Sequence, residues 1–185
     1  MLEVRFHGRG GQGAVTSAAL VAQAAIAEGR FAQAFPSFGP ERRGAPVIAY
    51  LRVSDTQIRD RTAIRTPNVV IVLDPSLPGI VKVDAGLEEG GTVVVNSSHS
   101  PEKIREEFGI TARLAVVNAN QIAREEIGRV ITNTTMLGAF VGAMGTVGTE
   151  SLSVALQNRF GRIAARNINA FKRAVDETVV VEVGK

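Results

Sequence analysis

The chain has 185 residues, 45% of them hydrophobic and 21% charged, with a formal net charge of +3, an ordinary globular balance. It holds no cysteine and no tryptophan, one tyrosine and two histidines, which excludes disulfides, thiolate zinc sites and cysteine-ligated iron–sulfur clusters within this chain. The length favours one domain over residues 1–185, able to bury about 70% of the surface its unfolded chain exposes. Basic residues form no run with interleaved aromatics, so no nucleic-acid partner is expected. No charged-then-apolar leader opens the chain, and the absence of cysteine fits a reducing compartment, so a cytoplasmic location without a signal peptide is expected. Residues 130–149 carry no charge, but they include Thr132, Asn133, Thr134, Thr135 and four glycines. They read as a buried helix, not as a bilayer span, so no membrane partner is expected.

In chain order, residues 2–6 read as a strand and 14–28 as a small-residue helix, favoured by its alanines and stopped by Gly29. A second strand over 31–35 ends at Pro36. The stretch 36–46 is a loop in which three prolines fix φ and withhold donors, while Gly39 and Gly44 allow sharp turns. A strand over 47–54 follows, with 57–61 as its polar hairpin partner. The near-continuous apolar run 68–73 suits a buried parallel strand, ended by Asp74-Pro75. A short amphipathic helix is expected over 80–87 and a strand over 92–95. Ser100 as N-cap and Pro101 at the first helical position start a helix that runs to Phe108, with Gly109 beyond. A strand over 113–117 and a helix over 118–126, capped by Asn118, come next. An apolar helix over 132–144 sets Gly138 and Gly142 on one face, which permits close packing. Helices over 151–160 and 163–177 are separated by Gly161. The β-prone tail 178–183 suits a sheet edge of this chain or of a partner. The alternation predicts an α/β fold: a Rossmann-like, mostly parallel sheet covered by helices, with a helix-rich C-terminal third.

Two stretches carry chemistry. Gly8, Gly10 and Gly13, with Gly11 and Gln12 between them, match the G-x-G-x-x-G spacing of phosphate-binding strand–turn–helix units. Glycine admits positive φ and close approach. The helix start then offers free N–H groups and a partial positive charge to an anion. A dinucleotide site also wants an acid about 20 residues on, at the end of the second strand. Here that strand holds Gln33 and no acid, and Glu28 falls too early. Three readings stay open on these residues: a dinucleotide module, a tight turn that packs helix on sheet, and a site for another ligand or a partner chain. In the second stretch, Glu41-Arg42-Arg43-Gly44 places two guanidiniums in a proline-bounded loop. Such a pair grips carboxylate or phosphate with paired hydrogen bonds. The alternative is a surface salt-bridge cluster.

Elsewhere the signals are weaker. His7 is placed either to donate to a phosphate or carboxylate or to rest half-buried on a backbone partner. Ser97, Ser98 and His99 are too close in sequence to form a triad, and no G-x-S-x-G elbow exists. Asp74 ends a buried strand, a ligand position in open α/β sheets and equally a plain turn signal. Asp84, Glu88 and Glu89 read as a solvated helix end, and no His/Asp/Glu spacing suggests a metal site.

Residues 7–13, together with Ala32-Gln33-Ala34-Phe35-Pro36-Ser37-Phe38-Gly39-Pro40-Glu41-Arg42-Arg43-Gly44-Ala45-Pro46-Val47, resemble the gamma subunit of 2-oxoacid:ferredoxin oxidoreductases. The likeness extends to residues 68–74 and to Asn133-Thr134-Thr135-Met136-Leu137-Gly138. The Glu-Arg-Arg-Gly-Ala-Pro form of the loop is similar to the pyruvate or 2-oxoisovalerate branch. The resemblance implies a subunit of an enzyme that decarboxylates a 2-oxoacid, with pyruvate expected, on thiamine diphosphate and Mg. Electrons leave through iron–sulfur clusters to ferredoxin and coenzyme A takes the acyl group, with the reverse carboxylation also open. Alpha-, beta- and delta-type subunits are the implied partners. This chain itself is expected to bind no cofactor and to be inactive alone. Its implied ligand or interface residues are Gly8, Gly10, Gly11, Gln12, Gly13, Phe38, Gly39, Glu41, Arg42, Arg43 and Gly44, none of them assigned as catalytic. The rival readings are a free-standing nucleotide-binding module and a purely structural assembly subunit.

Overall fold

The computed structural model describes residues 1–37 and 44–183. In chain order the elements are β1 (Leu2–Arg9), α1 (Ala14–Ala27), β2 (Phe31–Pro36), β3 (Pro46–Ser54), β4 (Val69–Val72), β5 (Thr92–Asn96), α2 (Pro101–Phe108), β6 (Arg113–Val117), α3 (Ala119–Glu126), α4 (Asn133–Met144), α5 (Thr149–Phe160), α6 (Ala164–Glu177) and β7 (Val179–Val181). The strands form one sheet in the order β2-β3-β1-β4-β5-β6-β7. β1, β4, β5 and β6 are parallel neighbours. β3 runs against β1, β2 against β3, and β7 against β6. Five of the seven strands therefore point the same way, as expected for a mostly parallel sheet, with antiparallel pairing confined to its two sides.

The apolar strands explain this order. Every residue of β4 is buried, because the sheet is covered on both faces. Val69 and Ile71 join a core with Phe6, Leu137, Phe140 and Phe171 under α1, α3, α4, α5 and α6. Val70 and Val72 face the other way, towards Val93, Val95, Leu114 and Ile104 of α2. α4 is buried almost all round, as its uncharged sequence requires. Its two glycines let it lie directly on α6. A Cβ at position 138 would overlap the Phe171 carbonyl oxygen, and one at 142 would come within 2.6 Å of the Val175 carbonyl oxygen. The small-residue face that would have suited a partner helix is thus spent inside the chain. No helix among the described residues is long and apolar enough to cross a membrane.

Four local expectations need correction or sharpening. β1 does not stop at Phe6: antiparallel pairing carries it to Arg9 opposite Pro46, so Gly8 belongs to the strand and not to the turn. No second hairpin strand forms over 57–61; the buried Arg52 donates to the Asp60 carbonyl and pairs with the Asp60 carboxylate, which holds the segment off the sheet edge. No helix forms over 80–87; a 3-10 turn covers Leu77–Gly79 instead. The Arg5 guanidinium takes the carbonyls of Val83 and Ala85 at 2.8 and 2.6 Å, so a helix there would have to surrender those bonds. The tail docks within this chain, as β7 on β6.

The α4–α6 contact yields a direct test. Gly138→Ala should lower the unfolding free energy of the purified chain by about 2 kcal/mol or more, since the added carbon meets backbone rather than a side chain that can turn away. An unchanged urea midpoint would contradict this packing.

Candidate functional site at the carboxyl ends of the parallel strands

The chain leaves β1 towards β2 and β3 on one side, then returns to place β4 on the other. In open α/β sheets the crevice at such a reversal, outside the carboxyl ends of the strands, is where ligands bind. Here the ends of β1, β4, β5 and β6 deliver Gly11 and Gln12, Asp74, Ser97, and Asn118 with Asn120 to one rim. A cleft of about 320 Å³ opens among Gly11, Gln12, Asp74, Asn120 and Thr132.

One carboxylate ties this rim together. Asp74 Oδ2 accepts from Gln12 Nε2 at 2.6 Å and lies 3.4 Å from Arg9 Nε. Its Oδ1 accepts from the Ser76 hydroxyl at 2.5 Å and from the Ser76 amide at 3.0 Å. Gln12 closes its own turn, its Oε1 accepting from the Arg9 amide at 2.7 Å and its amide donating to the Arg9 carbonyl at 2.9 Å. Arg9 reaches onward to the Gly44 carbonyl at 3.0 Å and to Ser76 Oγ at 2.8 Å. Burial by itself would raise the Asp74 carboxyl; the hydrogen bonds from Ser76 and Gln12 and the Arg9 charge outweigh it and hold the group below its ordinary range.

The glycine turn is fixed from two further sides. The Gly10 amide donates to the Ala45 carbonyl at 2.9 Å, and the Gly44 amide donates to the Gly10 carbonyl at 3.3 Å. Gly11 and Gly13 have φ of 92° and 83°, in the left-handed region. A Cβ on Gly13 would also come within 2.8 Å of Asn133 Nδ2, so this glycine brings the starts of α1 and α4 together. Among the described residues no side chain caps the first turn of α1, whose leading N–H groups have no partner within the helix.

The expected site residues separate into three groups. Gly10, Gly11, Gln12 and Gly13 gather at the rim, with Gly44 joined to them through Arg9 and Gly10. Gly8 is buried in β1, with Ala14 and Leu73 beside it. Phe38, Gly39, Glu41, Arg42 and Arg43 lie outside the described residues. Their flanks are held on both sides, Ser37 by its amide on the Ile48 carbonyl at 2.8 Å and Gly44 by Gly10.

The histidines do other work. His7 is buried, and its Nε2 accepts from Arg5 Nε at 3.0 Å. Burial first, and the Arg5 charge second, lower its pKa to about 4, so the ring is neutral near pH 7 and its Nε2 is occupied by Arg5. His99 lies 3.5 Å from Glu107 at the entrance to α2. Sequence reasoning did not pick out Arg9 and Ser76, and it split Asp74 between turn and ligand. The signal was Asp74-Pro75-Ser76, a side chain placed to bond the amide two residues on. A dinucleotide site fails for a topological reason. The strand beside β1 on the α1 side is β3, which runs antiparallel and brings Pro46 to the position where the ribose-binding acid would stand. Among the described residues no group of three His, Asp or Glu is placed to hold a metal ion.

Fold and rim together define an α/β protein whose sheet ends, among the described residues, in a glycine turn tied to Asp74 and Arg9. Residues 3–177 match the family described as pyruvate ferredoxin/flavodoxin oxidoreductase. The chain is 50% identical to the pyruvate/ketoisovalerate oxidoreductases common subunit gamma of Thermococcus litoralis, over 98% of this chain and 100% of that one. It is 44% identical to the pyruvate synthase subunit PorC of Methanothermobacter thermautotrophicus, over 96% of each. The crystal structure of pyruvate oxidoreductase subunit PORC from Thermotoga maritima superposes with a TM-score of 0.87 at 36% identity, covering 98% of both chains. The chain belongs to the pyruvate ferredoxin/flavodoxin oxidoreductase family.

The Asp74 network makes a pH-dependent prediction. Because its folded pKa is depressed, Asp74 contributes stability that is present above its unfolded pKa and is lost as pH falls through the folded one. Asp74→Ala should therefore cost about 2 kcal/mol at pH 7. The gap to the unsubstituted chain should narrow as both are titrated down through and below the ordinary carboxylate range, and urea unfolding at several pH values measures it. A gap independent of pH would contradict the assignment.

Proposed function

We propose that this chain is the gamma subunit of a multi-subunit 2-oxoacid:ferredoxin oxidoreductase, with pyruvate as the 2-oxoacid. In this reading the complex decarboxylates the 2-oxoacid oxidatively to an acyl-coenzyme A, or runs the reverse carboxylation. Alpha-, beta- and delta-type partner subunits hold thiamine diphosphate, Mg and the iron–sulfur clusters, and the complex reduces ferredoxin in the cytoplasm. Full-length similarity to gamma and PorC subunits supports the reading. So does the sequence, which has no cysteine to ligate a cluster.

Residues 1–185 act as one presenting domain. The tethering of Ser37 and Gly44 beside the glycine turn carries the site assignment, because it fixes where the six residues between them begin and end. Arg42 and Arg43, within these six residues, serve the interface with the catalytic subunits or shape the approach of coenzyme A, whose phosphates match paired guanidiniums. Gly10, Gly11 and Gly13 hold the turn, Gln12 fastens it to Asp74, and the open amides at the start of α1 offer further donors to an anion. This chain supplies binding and orientation, while the electron chemistry belongs to the groups on its partners.

Substituting Arg42 and Arg43 together with Ala in the reconstituted complex tests the role. The Michaelis constant for coenzyme A should rise about tenfold or more, as expected for losing charged hydrogen bonds to phosphate, with assembly unaltered. Unchanged acyl-coenzyme A formation in an intact complex would reject it. Impaired assembly with full turnover per assembled complex would favour a purely structural subunit.

A further inference from the structure

The outer edge of the sheet at β2 is built to accept a strand. β2 pairs with β3 on one side only. The Ser37 amide bonds the Ile48 carbonyl, so by the alternation of antiparallel pairing Phe35, Gln33 and Phe31 also bond inward, to Tyr50, Arg52 and Ser54. The amides and carbonyls of Ala32 and Ala34 therefore point outward, and no described residue pairs with them. Edge strands are usually blunted by charge, bulges or proline along their length. This one, Phe31-Ala32-Gln33-Ala34-Phe35-Pro36, carries no charge and meets proline only at its last residue.

The surroundings select what fits. Phe31 is 48% exposed and Ile26 56%, and both border a groove of about 530 Å³ beside the edge. Ile58 adds apolar surface to the same groove, while Arg30 and Arg61 are its only charged lining residues among those described. Arg30 has Asp55 at 3.3 Å. Arg61 has no carboxylate partner among the described residues, because the neighbouring Asp60 is bound to Arg52 and Thr62. A second copy of this chain would bring the same two arginines, with its Asp55 already at its own Arg30 and its Asp60 at its own Arg52.

We propose that β2 pairs with an extended segment of another subunit of the same complex, one that alternates apolar residues with at least one Asp or Glu directed at Arg61. Backbone bonds to Ala32 and Ala34 supply the register, and the groove beside Phe31 supplies selectivity. This inference rests on the gamma-subunit reading but concerns a different edge of the molecule from the glycine rim.

Amide hydrogen exchange on the isolated chain and on the complex reconstituted from its alpha-, beta- and delta-type subunits tests it. The Ala32 and Ala34 amides should exchange freely in the isolated, monomeric chain and at least tenfold more slowly in the complex, while Gln33 and Phe35 are protected in both. Arg61→Glu and Ala34→Pro should each weaken assembly about tenfold or more, with the circular dichroism and melting of the isolated chain retained. An assembled complex with no added protection at Ala32 and Ala34 would overturn the inference and leave the gamma-subunit reading standing. So would assembly untouched by both substitutions, or protection of these amides in a dimer of the isolated chain. Failure to assemble with the other subunits at all would overturn both.

Discussion

The Asp74 carboxylate is the constraint on which the candidate site depends. It stands where β4 ends, yet its partners come from the turn after β1 and, through Arg9, from the start of β3. Three strand ends thus share one anion. Both oxygens are engaged, and the site is largely buried, so the interaction is screened less than an exposed ion pair would be. The same engagement removes Asp74 from the list of groups free to bind a ligand. Among the described residues lining the cleft, Asp74 is the one charged group, and the exposed Gly11 and the start of α1 stand beside it.

This arrangement explains how a glycine motif familiar from dinucleotide sites serves a different architecture. The turn keeps its left-handed glycines and its helix start, but antiparallel β3 replaces the parallel strand that would carry an acid. The space is used to anchor the segment that precedes β3. The two flanks of the segment between β2 and β3 are fixed by backbone bonds, Ser37 to Ile48 and Gly44 to Gly10, so the ordering of those flanks is complete in the folded chain.

Much of the fold was legible in the sequence because its signals are local. The valine run of β4, the Ser100-Pro101 start of α2, the Asn118 cap and the Gly138/Gly142 pair each report a propensity or a spacing that the tertiary structure keeps. The failures are non-local. Nothing near residues 80–87 reveals that Arg5, some eighty positions earlier, claims their carbonyls. Nothing within residues 57–61 reveals that Arg52, buried in β3, holds Asp60. The site followed the same rule: the glycines and Gln12 were visible as a motif, whereas Arg9, Asp74 and Ser76 became a unit only when the sheet brought β1 and β4 side by side. The assignment of Arg42 and Arg43 rests on sequence alone.

One carboxylate holds the glycine turn and the start of β3 as a single rigid rim. Residue-resolved amide exchange in the Asp74→Ala chain measures it most directly. The Gly10, Gln12 and Gly44 amides should lose protection together, while the amides of β5 and β6 keep theirs. If Gly10 and Gly44 stay as protected as in the unsubstituted chain, the rim is held by something other than Asp74.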